Sequence, residues 1–87
     1  MTRIKQIADC LLNHFDKREP EYQTWLLEQL DGILLSCVVT INPIYTEGEI
    51  YDHSEWILEE FTLTDDNNFQ FSLNQEECEI LYKLLEA

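Results

Sequence analysis

Ile33-Leu34-Leu35-Ser36-Cys37-Val38-Val39-Thr40-Ile41 is the stretch on which the fold turns. Its β-branched content, and its end at Asn42-Pro43, predict a strand. Successive side chains of a strand point to opposite faces. Ile33, Leu35, Cys37, Val39 and Ile41 therefore make one wholly apolar face. Leu34, Ser36, Val38 and Thr40 make a mixed one. This pattern suits a central strand whose odd face is covered by helices.

On the N-terminal side, Ile4, Ile7, Ala8, Leu11 and Phe15 recur at helical spacing and predict an amphipathic helix from about Thr2 to Asp16. A charged link, Asp16-Lys17-Arg18-Glu19, follows. Pro20 suits the first turn of a second helix, where its missing N–H is no loss. Tyr22, Trp25, Leu26 and Leu30 would form that helix's apolar face, and Gly32 after Asp31 would stop it.

On the C-terminal side, Glu47-Gly48 reads as a turn between Ile44-Tyr45 and Ile50-Tyr51, within either a short hairpin or an irregular loop. A strand is expected from about Trp56 to Thr64, in preference to a helical turn capped by Ser54. Asp65-Asp66-Asn67-Asn68 is a turn, and it leads into Phe69-Gln70-Phe71-Ser72-Leu73 with Phe69, Phe71 and Leu73 inward. A last helix starts at Asn74, with Glu77 three residues on as a capping-box partner. Cys78, Leu81, Leu84 and Leu85 would face the core. The expected fold is a single α+β domain spanning residues 1–87. It has two N-terminal helices, a three- or four-stranded antiparallel sheet and a C-terminal helix.

Charge is the other informative feature. The 87-residue chain has a formal net charge of -13. Between Glu19 and Tyr82 it contains no lysine and no arginine. Mixed signs normally support local ion pairs, so carboxylates left without cations repel one another at a standing cost to the folded state. Yet 45% of the residues are hydrophobic, which sets the chain apart from disordered acidic tails. Phosphates repel carboxylates, so this charge opposes direct binding of nucleic acid or an anionic membrane. No apolar run approaches a membrane span. No secretory signal is read at the N-terminus. Cys10, Cys37 and Cys78 are odd in number and widely spaced, which favours free thiols and a cytoplasmic setting.

Catalytic patterns are missing. Gly32 and Gly48 are the only glycines, so no glycine-rich phosphate loop exists. Cys10 and His14 stand four apart on the first helix, but a buried thiol beside a surface histidine accounts for them. Glu47, Glu49, Asp52, His53 and Glu55 could in principle hold a divalent cation. Their spacing matches no calcium loop, and a solvated acidic loop accounts for them. No enzyme activity, cofactor or resident metal is expected. A metal-dependent module built around His53 ranks last among the readings.

The expected function is protein binding. An acidic segment with aromatic anchors would suit a basic protein groove, the alternative being that Trp56 and at least one tyrosine complete the small core. The expected contact set is Glu47, Glu49, Tyr51, Asp52, Glu55, Trp56, Glu59 and Glu60. Its partner would be a basic protein surface, such as that of a nuclease or another nucleic-acid-binding protein. Small acidic inhibitors of CRISPR nucleases or restriction enzymes share this size and charge, as do immunity proteins against toxin nucleases. That likeness is one of composition alone. The alternative is a self-associating structural or adaptor protein, with the even face of the Ile33–Ile41 strand as its homodimer interface.

Overall fold

A computed structural model of the chain describes residues 2–86. Helix α1 spans Thr2–His14. Strands β1 (Glu21–Leu30), β2 (Ile33–Thr46), β3 (Ile50–Asp65) and β4 (Gln70–Phe71) follow, and helix α2 spans Gln75–Glu86. The strands form one antiparallel sheet in the order β1-β2-β3-β4. Both helices pack on one face of it. Ile4, Ile7, Ala8, Leu11 and Phe15 from α1 and Leu81 and Leu85 from α2 share a core with Ile33, Leu35, Cys37, Val39 and Ile41 of β2. The apolar odd face of β2 is the covered face, as its alternation predicts.

The architecture departs from expectation in one element. Residues 21–30 are a strand, not a second helix. The spacing of Tyr22, Trp25, Leu26 and Leu30 fits a helical face, but pairing with β2 overrides it. Leu26 is buried opposite Cys37, whereas Tyr22 is 81% and Trp25 65% exposed. Asp31-Gly32 is a two-residue hairpin turn joining Leu30 to its partner Ile33, with Gly32 at φ 76. Asp-Gly between apolar runs is a strong hairpin signal.

Strand β2 also runs past Asn42-Pro43 to Thr46, with Pro43 opposite Ser54. The ladder explains why proline is tolerated. Leu58 N–H points away from β2 and donates to Tyr82 Oη at 3.2 Å, so the Val39–Leu58 pair is not hydrogen-bonded. Antiparallel pairs alternate, which makes Pro43–Ser54 non-hydrogen-bonded as well. The proline nitrogen thus faces the side where β1 has already ended, and no ladder bond is lost. The β2–β3 hairpin closes at Thr46–Ile50, where Glu49 N donates to Thr46 O at 3.1 Å. At roughly 3.3 Å per residue, its fourteen-residue arm β2 accounts for most of the 50 Å long axis.

Three bulges shift the alternation: one near the hairpin tip, where Asp52 is the extra residue between His53 and Tyr51, and two in the body of the sheet. On β3, Glu60 and Phe61 stand opposite the single residue Cys37, with Glu60 at φ 49. On β1, Tyr22 and Gln23 stand opposite Thr40, with Gln23 at φ 44. The bulge at Glu60 explains the interrupted apolar pattern of β3. Trp56 and Leu58 face the helices before it, and Phe61 and Leu63 after it.

The C-terminal half follows expectation more closely. The turn is capped by the Asp65 carboxylate, which accepts from Asn67 N at 2.9 Å and Phe69 N at 3.0 Å. Asn74 and Glu77 form the reciprocal capping box. Glu77 N donates to Asn74 Oδ1 at 2.8 Å, and Asn74 N donates to Glu77 Oε1 at 3.1 Å. Two side chains differ from expectation. Phe69 lies outside the two-residue strand β4 and is exposed, and Leu84 is also exposed on the outer side of α2.

Candidate protein-binding face

The long β2–β3 hairpin carries the predicted acidic segment, and the structure divides it into four environments. Glu47 and Glu49 sit in the exposed hairpin tip. Tyr51 belongs to an internal cluster. Its ring meets Tyr45 edge-on at 5.9 Å, and the Arg18 guanidinium lies 5.0 Å from its centroid. Tyr45 Oη donates to Arg18 O at 2.9 Å, and the buried Ser54 hydroxyl donates to Lys17 O. Ser54 Oγ has only one proton, so Tyr51 Oη donates to it, at 2.8 Å. These contacts hold the α1–β1 link against the helix-side face of the hairpin. The segment has no cation near it in sequence, but the fold brings Arg18 to it.

Trp56 is not a surface anchor. It is 4% exposed, packed in the core beside Ile41. Its indole N–H has no hydrogen-bond partner among the described residues. Asp52 is taken by its neighbour, with His53 Nδ1 2.8 Å from Asp52 Oδ2. Among the described residues no group of three His, Cys, Asp or Glu side chains converges to hold a metal ion, so the residues around His53 do not form a ligand set.

Glu55 and Glu59 remain exposed and share the sheet face that no helix covers. The register builds this face row by row. Trp25 lies beside Val38, and Val38 beside Glu59. Leu27 lies beside Ser36, and Ser36 beside Thr62. Thr40 lies beside Ile57, and Asn42 beside Glu55. Trp25 Nε1 donates to Ser36 Oγ at 3.0 Å, which sets the indole across the sheet. Leu27 is 51% and Ile57 44% exposed. Between the two bulges in the body of the sheet, Gln23, Val38, Glu59 and Glu60 line a shallow cleft of about 270 Å³. The contact set read from sequence thus keeps Glu55, Glu59 and Glu60 together and sets Tyr51 and Trp56 apart. It also omits Trp25, Leu27 and Ile57. Reading Asp31-Gly32 as a hairpin turn would have placed Trp25 and Leu27 on the face opposite Leu26.

The cations are segregated from this face. Arg3 and Lys5 lie on α1, Lys17 and Arg18 on the α1–β1 link, and Lys83 on α2; none of the four strands carries a lysine or arginine. Arg3 stacks on Phe71, 4.6 Å from its ring centroid, and Arg18 on Tyr51.

Among the described residues Cys10 and His14 share no hydrogen bond. His14 Nδ1 turns to Glu28 Oε1 at 3.6 Å and its ring meets Phe15 edge-on. Burial, with the Glu28 carboxylate adding, pushes the Cys10 thiol above its usual range, opposite to what a nucleophile needs. Burial and then the neighbouring Cys10 push Cys37 up to about 11. Among the described residues no helix is long and apolar enough to cross a membrane. No protein-family model, no curated protein and no solved structure matches this chain.

Proposed function

We infer that this chain is a non-enzymatic binding module that docks on a basic protein surface and occupies lysine and arginine positions otherwise available to phosphate. The partner class is a nuclease or another nucleic-acid-binding protein, as for inhibitors of the anti-CRISPR, anti-restriction or immunity type. One observation carries this reading. A chain of net charge -13 places all five of its lysines and arginines on the helices and one link, and leaves a four-stranded sheet that carries carboxylates but no lysine or arginine. A single-sign field of that kind steers oppositely charged partners and speeds their association. The test is competition and salt dependence on the partner that co-purifies from the native host. Duplex DNA should displace the chain from that partner. Affinity should fall by an order of magnitude or more between about 50 and 200 mM salt. Binding that ignores both DNA and salt overturns the reading.

A second reading is self-association, favoured by the position of Leu34, Ser36 and Val38 on the uncovered sheet face. Sedimentation equilibrium tests it. A dimer that persists in high salt supports it.

A further inference from the structure

We propose that the docking surface of this module is the open face of the sheet, with Trp25, Leu27, Val38 and Ile57 as its apolar centre and Glu55, Glu59 and Glu60 as its acidic rim. The occupant is a protein surface that presents apolar side chains ringed by lysine or arginine. The proposal rests on the basic-partner reading and replaces the hairpin tip as the place of contact. An α+β sheet with helices on one side commonly leaves its second face to water, and that face then alternates to polar side chains. Here the second face instead carries an exposed tryptophan, leucine and isoleucine within three strands. Exposed apolar groups rimmed by polar ones mark interaction sites, and tryptophan is a frequent anchor of binding energy.

Charge selects the occupant. A second copy would bring its own Glu55, Glu59 and Glu60 into the same interface, with no lysine or arginine on either sheet to offset them. Like charges juxtaposed across an interface oppose association. A basic partner meets the same carboxylates with opposite charge. The cleft between the bulges suits one of its long side chains. Val38 forms an apolar floor for the stem, Glu59 and Glu60 supply carboxylates for the head, and Trp25 stands in the same row.

The experiment uses a designed amphipathic leucine–lysine helix as probe, with a polylysine peptide of equal charge as control. Trp56→Phe leaves Trp25 as the sole indole reporter. The amphipathic probe should shift Trp25 emission and bind at least about tenfold tighter than polylysine. With affinity read by titration calorimetry, Trp25→Ala and, separately, Leu27→Gln should each weaken it about tenfold, whereas Glu47→Lys with Glu49→Lys should change it less than twofold. Both apolar positions are exposed, so at least one variant folds, as circular dichroism will report. If the hairpin-tip reversal abolishes binding and the Trp25 and Leu27 changes do not, the face is wrong and the basic-partner reading survives. If neither peptide binds, both fail. If the chain is a dimer that Leu27→Gln dissolves, the face is self-associating and the proposed occupant is overturned.

Discussion

Ser54, on the inner face of β3, donates its hydroxyl proton to the carbonyl of Lys17, 37 residues earlier in the chain. Together with the bond from Tyr45 Oη to Arg18 O, it ties the α1–β1 link to the long hairpin, and Tyr51 Oη completes it from the other side. Ser54 is fully buried, so its alanine variant removes both the bond to Lys17 O and the bond from Tyr51 Oη. The expected loss is about 1–3 kcal/mol. Urea unfolding should show a lower midpoint with an unchanged slope. Limited proteolysis should cut faster between Asp16 and Glu19.

The two tryptophans separate strand from helix in residues 21–30. Trp56→Ala should cost about 3–5 kcal/mol and unfold a domain of this size. Trp25→Ala should stay within about 1 kcal/mol, because it loses one exposed hydrogen bond and little packing. Leu26→Ala should cost about 2–5 kcal/mol and Leu27→Ala far less. Equal losses at Leu26 and Trp25 would restore the helical reading. Thermal melts of the four variants decide it.

Cys37 sets a stability change at high pH. Its folded-state value is raised from 9.0 to about 11. Below pH 9 the thiol is protonated in both states and contributes no pH dependence. Between 9 and about 11 the unfolded chain releases a proton that the folded chain keeps, so stability falls as pH rises. The slope from this group is at most about 1.4 kcal/mol per pH unit. Cys37→Ala should remove that part of the slope. Denaturant midpoints of both proteins at pH values from about 8 to about 10.5 measure it. Parallel curves would contradict the assignment.

Salt should stabilise the isolated domain. Repulsion among exposed carboxylates weakens as the screening length falls from about 30 Å at 0.01 M to about 3 Å at 1 M. The melting temperature should rise with sodium chloride across that range. A fall would mean that attractive charge contacts outweigh the repulsion.

Legible from the residues alone were α1, the central strand, the turns at Glu47-Gly48 and Asp65–Asn68, and the Asn74–Glu77 capping box. Each rests on residues within a few positions of one another: an apolar period, a turn dipeptide, a cap and its partner. The sequence also determined the sign and the one-sidedness of the charge, since the absence of lysine and arginine from Glu19 to Tyr82 is a property of the chain. Only the tertiary structure decided that residues 21–30 pair with β2, because a spacing of three and four fits a helix as well as a bulged strand until a partner is present. The fold alone also sent Trp56 inward and Trp25 outward. The bulges at Gln23 and Glu60 reset which residues share a face. A bulge is fixed by the ladder of the neighbouring strand, and no local pattern in its own strand announces it.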